Sequence, residues 1–146
     1  HTPIRRQRQM CIRDSKYADH GLGTERGENL VPINSLASRG ISTSYHSDFA
    51  MAPLEPLTLA WTAINRVTSN NKRISQNQRV DPYTAMQAIT IAAAKTLNLE
   101  NSLGSIEIGK IANFTILDRN PFKIDTMLIK EIEVLGTVYR GNSSLR

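Results

Sequence analysis

An α/β unit followed by a small β module is the fold class that this sequence predicts, and three observations carry that prediction. Residues 41–48, ISTSYHSD, have the look of a short strand, and two stretches of helical spacing follow at 57–67 and 81–97. Near residue 100 the composition changes, from an Ala-rich run to short β-like segments broken by Gly104 and Gly109. Polar groups also gather where the strand stops and a Pro-punctuated loop begins, which is where α/β folds place their chemistry.

The elements follow in order. Residues 1–15, HTPIRRQRQMCIRDS, are expected to be a tail. Residues 16–30 are polar, hold Gly21, Gly23 and Gly27, and are expected to be loop. Pro32 can open a short helix, Ile33 to Ser38, and Gly40 offers the positive φ that closes one. The strand 41–48 is rich in β-branched and aromatic residues. In LTLAWTAINRV, apolar side chains recur at Leu57, Ala60, Trp61, Ile64 and Val67, the three-and-four spacing of a helix.

Ser69–Gln78 is a polar loop, and DPYTAMQAITIAAAKTLNL then gives the strongest local signal. Asp81 can cap this helix while Pro82 takes its first turn. Ala85, Met86, Ile89, Ala92, Ala93 and Leu97 form one apolar face, expected to pack on a core. NSLGSIEIGKIANFTILDRNPF predicts short β segments parted by Gly104, Gly109 and the turn Arg119-Asn120-Pro121, and IKEIEVLGTVYRGN one or two more strands. The expected organisation is thus a tail at 1–15, an α/β part at 16–100 and a β module at 101–146.

A length of 146 residues is about one domain's worth, enough to bury a core. No stretch approaches the roughly 18 apolar residues of a membrane span, and no apolar run follows the first arginines as a signal peptide requires. Cys11 is the only cysteine, so neither an intrachain disulfide nor a Cys-based metal site is available, and a cytoplasmic setting is expected. The net charge of +5 is mostly local. Arg5, Arg6, Arg8 and Arg13 against Asp14 give the first 15 residues +3, which leaves only +2 for the rest. A small basic nucleic-acid- or protein-binding module is the alternative reading, and it rests on that tail alone. The other basic side chains are scattered, and no aromatic stacking platform accompanies them.

Along a strand, side chains two apart share a face. Ser44, His46 and Asp48 therefore point one way, and Thr43, Tyr45 and Ser47 the other. Asp48 is outermost on its face, and a carboxylate there can ligate a metal or serve as a general base.

Several segments together resemble a known family. Y-H-S-D-F-A-M-A-P at 45–53 resembles the segment that ends the last barrel strand in the amidohydrolase superfamily, in its metal-dependent hydrolase branch that includes N-substituted formamide deformylase. Asp81 to Leu97 resembles the helix that follows that strand, and G-S-I-E-I-G-K-I-A-N-F-T-I-L-D at 104–118 the hairpin leading into a C-terminal β module. G-T-V-Y-R-G at 136–141 is similar to that module's closing strand, and L-G-T-E-R at 22–26 to the approach to the penultimate helix. The tripeptide HSD is weak by itself, while the order and spacing of the segments are specific.

The resemblance implies the C-terminal part of a (β/α)₈ TIM-like barrel with a small β module, the latter part of a composite β-sandwich. It implies a divalent metal, zinc above all, and hydrolysis of a non-peptide C–N bond in a small-molecule substrate by metal-activated water. Asp48 is then the general base and also a metal ligand. His46, Phe49 and Met51 are candidates to line the substrate pocket, with His46 read otherwise as a satisfied barrel-core histidine or a hydrogen-bonding support of the site. Arg26, Arg66 and Glu55 are expected in surface or structural ion pairs, with substrate contact as the alternative. The family's other ligands are an H-x-H pair, a mid-barrel lysine or acid, and two further histidines, and this sequence holds none of them. The expected partner is therefore an N-terminal part of the barrel, without which the chain is expected to be inactive. Asn113 stands where the family has aspartate, and is expected to support the hairpin. RRQRQMCIRDS in turn resembles translated sequencing-adapter DNA, which would make residues 1–15 foreign to the protein.

Overall fold

The computed structural model describes residues 7–8, 21, 23–48, 54–68 and 71–145. In chain order these form β1 (Gln7–Arg8), α1 (Thr24–Glu28), α2 (Ile33–Ala37), β2 (Tyr45–His46), α3 (Pro56–Asn65), a 3₁₀ turn at Gln76–Gln78, α4 (Pro82–Ala88) and α5 (Ile91–Thr96). Then come β3 (Phe114–Leu117), a 3₁₀ helix at Thr126–Glu131, β4 (Val134–Tyr139) and β5 (Asn142–Leu145). β1 and β2 pair in parallel, with Gln7 opposite Tyr45 and Arg8 opposite His46. β3, β4 and β5 make an antiparallel sheet in that order. Helices and both strand types together fit an α/β fold. None of the described helices is long and apolar enough to cross a membrane.

The core forms around α3. Pro56 starts this helix at a position where no N–H is needed, and every residue from Leu59 to Asn65 is buried. A helix buried on all sides has to satisfy its polar side chains internally. Asn65 does so by bridging to the 3₁₀ helix: its amide donates to Trp61 O (3.0 Å) and Thr126 O (2.9 Å), and its Oδ1 accepts from the Thr126 hydroxyl (2.9 Å). The Trp61 indole N–H donates to Met127 O at 2.9 Å, and Lys130 lies 4.4 Å from the ring centre, a cation–π distance. Ile129 and Ile132 complete this side of the core, while Ala85 and Ala88 of α4 pack on the other. α3 ends at Arg66, whose φ of 51° breaks the helix one residue before Val67.

Several local expectations change, among them the tail, where Gln7–Arg8 pairs with β2, and three others. The first falls at 24–28, where α1 occupies part of a stretch read as loop. Tertiary contact explains it: Gly27 is buried, and its carbonyl accepts from the Ser75 hydroxyl at 3.1 Å. The second is the helix over 81–97, which is two helices broken at Ile89–Thr90. The Thr90 hydroxyl bonds back to Met86 O at 2.7 Å, and the residue lies between two β-branched isoleucines, both of which weaken the backbone ladder there. Leu97, expected on the buried face, lies past the end of α5 and is exposed. The third is the 104–118 hairpin, whose second limb is β3 but whose first limb is not a strand. Ser105, Glu107 and Lys110 tie it into a compact turn that leaves Ile106 and Ile108 exposed.

Other expectations hold. Asp81 caps α4, accepting from the Thr84 N–H (3.0 Å) and hydroxyl (2.6 Å). Gly40, at φ 70°, closes α2: its N–H reaches Ala37 O and the next N–H reaches Leu36 O, the paired bonds of a Schellman end. β4 turns into β5 through Arg140 and Gly141, both at positive φ, as a two-residue hairpin loop demands. Asn113, expected to support the 104–118 hairpin, instead braces this β4–β5 turn by accepting the Arg140 N–H at 2.8 Å.

Candidate active site

The site is built on β2 and the residues that leave it. The regular strand spans only Tyr45–His46, shorter than 41–48, yet the alternation of faces continues beyond it. Thr43, Tyr45 and Ser47 are buried, Ser44 and His46 are half-buried, and Asp48 is exposed. The buried face packs on the core through Tyr45.

On the other face, the Ser44 and Thr96 hydroxyls are 3.0 Å apart. The Thr96 hydroxyl donates to Ala92 O at 3.0 Å, so Ser44 is the donor between the two. This bond ties the end of α5 to the strand that carries the site. Its sequence separation of 52 residues left no local signal to find it by.

Asp48 marks where the chain leaves the strand. Its φ of 53° is left-handed, a conformation that aspartate tolerates better than most side chains. Its N–H donates to His46 Nδ1 at 3.2 Å. The structure thus brings together the two residues singled out in HSD, through the aspartate's main chain and the histidine's ring. Phe49 and Met51, the other pocket candidates, lie outside the described residues.

Arg26 is exposed, whereas Arg66 is fully buried, with Nη2 donating to Leu30 O at 2.8 Å. Glu55 accepts from the Thr58 hydroxyl at 2.8 Å at the start of α3. Arg66 and Glu55 therefore have structural roles.

Among the described residues, no three His, Cys, Asp or Glu side chains come together to hold a metal ion. Asp48 suits one position in such a site, as an exposed oxygen donor at a strand's end. His46 does not supply Nδ1, which accepts the Asp48 N–H. A catalytic zinc takes three protein ligands, so these two residues do not complete a site between them.

Comparison with known proteins defines the class. The Amidohydrolase family profile matches residues 4–144, reaching back into the Arg-rich opening. The chain belongs to the amidohydrolase family. It is 33% identical over 121 residues to N-substituted formamide deformylase of Arthrobacter pascens, covering 80% of this chain and 22% of that protein. It is 30% identical over 138 residues to the amidohydrolase-family protein YtcJ of Bacillus subtilis (strain 168), covering 92% of this chain and 26% of that one. Among solved structures, an amidohydrolase from Thermotoga maritima MSB8 shares the fold, with a TM-score of 0.59 and 23% identity over 78% of this chain and 25% of its own. The chain therefore spans about a quarter of the length of the relatives it matches.

Proposed function

We propose that this chain forms the closing part of a metal-dependent amidohydrolase that cleaves a non-peptide C–N bond in a small molecule, with Asp48 as general base. The observation that carries this reading is Asp48 itself, exposed at the end of β2 in a chain that matches the amidohydrolase family from residue 4 to 144. In this reading β2 is the last strand of a (β/α)₈ barrel, whose active face is formed by the C-terminal ends of its strands. Residues 101–146 are the accompanying β module, part of a composite β-sandwich. The parallel pairing of β1 with β2 supports a barrel-type sheet.

A divalent metal, zinc in this proposal, supplies when bound a water of lowered pKa. Asp48 contributes one carboxylate oxygen to that centre, and the other ligands belong to barrel strands outside this sequence. The Asp48 carboxylate accepts the proton of the attacking water and returns it to the leaving nitrogen. The loop after β2 lines the pocket, with Phe49 and Met51 as its apolar contacts.

Asp48→Asn tests the assignment, made in a chain that also carries the upstream barrel strands. With an N-substituted formamide as probe, turnover is expected to fall by about 10²- to 10⁴-fold, with the metal content of the purified enzyme largely retained. Unchanged turnover refutes Asp48 as the base. The 146-residue chain alone is expected to show none.

A further inference from the structure

We infer that His46 is a positioning residue, whose Nδ1 holds the Ser47–Asp48 peptide and so fixes the main-chain point from which the Asp48 carboxylate departs. The inference rests on Asp48 being the base proposed above. Its own evidence is separate: the Asp48 N–H donates to His46 Nδ1 at 3.2 Å, and the residue that makes this bond has φ 53°. An extended strand would carry the Asp48 N–H sideways toward a neighbouring strand. Here the Ser47–Asp48 peptide is instead turned so that its N–H meets the ring one residue before it in the chain, that of His46. The bond pins the peptide from which Asp48 departs, and so the position of the Asp48 Cα, while the φ of Asp48 sets the direction its side chain takes from there.

The bond also fixes the ring. A neutral imidazole that accepts at Nδ1 carries its hydrogen on Nε2. This tautomer makes the role specific to one ring atom, which sequence alternation alone did not identify. Alternation placed His46 and Asp48 on one face, but the contact runs from ring to backbone and leaves both Asp48 carboxylate oxygens out of it.

Two substitutions separate the atoms. In His46→Asn, Oδ1 stands near the place of Nδ1 and can accept the same N–H; in His46→Gln, the oxygen lies one carbon further out, near the place of Nε2. Hydrogen exchange at the Asp48 amide is measured by NMR on the full chain, with β4 amides as the fold control. His46→Gln is expected to speed this exchange by about 2- to 10-fold, the net worth of one hydrogen bond, and His46→Asn to leave it near wild type.

In the enzyme that includes the upstream barrel, His46→Gln is expected to lower kcat by about 10- to 100-fold with KM unchanged, and His46→Asn to restore most of it. Unchanged Asp48 exchange in His46→Gln overturns the inference, as does a His46→Asn variant as impaired as His46→Gln. An inactive Asp48→Asn beside two His46 variants of wild-type turnover removes the positioning role and leaves the base assignment standing. An active Asp48→Asn removes the base assignment, and with it the positioning role that depends on it.

Discussion

Gly104 and Gly109 form a controlled pair in which steric exclusion can be measured apart from backbone preference. Their φ angles are 92° and 93°, so an L-residue is strained equally at both. Their surroundings differ. A Cβ on Gly109 would meet nothing within 4 Å, whereas on Gly104 it would lie 2.8 Å from Ile91 Cα, 2.8 Å from Ala94 Cβ and 3.2 Å from Thr90 O. Carbon atoms pack best at about 3.5–4.0 Å, so alanine at 104 has to push the start of α5 away by most of an ångström. Two of the three obstacles are backbone atoms and have no rotamer to retreat into.

Gly109→Ala is therefore expected to cost the conformational term alone, about 1–2 kcal/mol. Gly104→Ala adds an overpacking term of about 1–3 kcal/mol and reaches about 2–5 in all. Against a typical domain stability of about 5–15 kcal/mol, the second change is severe and the first is tolerable. Pulse proteolysis across a urea series on dilute protein reads the difference. At a slope of about 2 kcal/mol per molar urea, the two midpoints should separate by about 1 M. Equal midpoints would refute the close approach of Gly104 to α5. Ala94→Gly in the Gly104→Ala background should recover part of the steric term, since it removes one of the three obstacles.

Asp81→Ala is expected to cost about 1 kcal/mol through loss of the α4 cap, measured in the same urea series. The hydrogen bond from the Thr84 hydroxyl, with backbone N–H groups adding to it, holds the Asp81 carboxyl below its ordinary 3.8. A depressed carboxyl stabilises the fold above the unfolded pKa, so this contribution should be complete above about pH 5 and disappear as pH falls below 3.8. An Asp81→Ala variant should therefore differ from wild type at neutral pH and converge on it in acid. Asn65→Asp should be worse than Asn65→Ala, whose cost is about 1–3 kcal/mol from unpaired buried groups. The carboxylate would face the Trp61 and Thr126 carbonyls at 3.0 and 2.9 Å in place of the amide that donates to them, and denaturation midpoints of the two variants decide it.

What the sequence made legible was set by short-range chemistry. The Asp81-Pro82 start of α4, the Gly40 stop of α2 and the helical spacing around Trp61 each involve residues within a turn or two of one another. One misreading lies where a distant group decided the outcome. α1 forms around Gly27, whose carbonyl is bonded by Ser75, 48 residues away. The break before α5 has a local cause, the Thr90 hydroxyl bonding back to Met86 O between two β-branched isoleucines, but the Ala-rich apolar spacing on either side masked it in the sequence.

The site was legible to a different depth. Period-two alternation placed Ser44, His46 and Asp48 on one face, and the burial of Thr43, Tyr45 and Ser47 on the opposite face agrees with it. Alternation describes side chains, though, and the contact that joins His46 to Asp48 is made by a main-chain N–H at positive φ. A left-handed residue at the end of HSD redirects the chain there, so the strand contributes its final carboxylate from a turn. In the proposed reading, with Asp48 as base, its carboxylate departs from a peptide that His46 pins, so the histidine of HSD belongs to the same device as the aspartate.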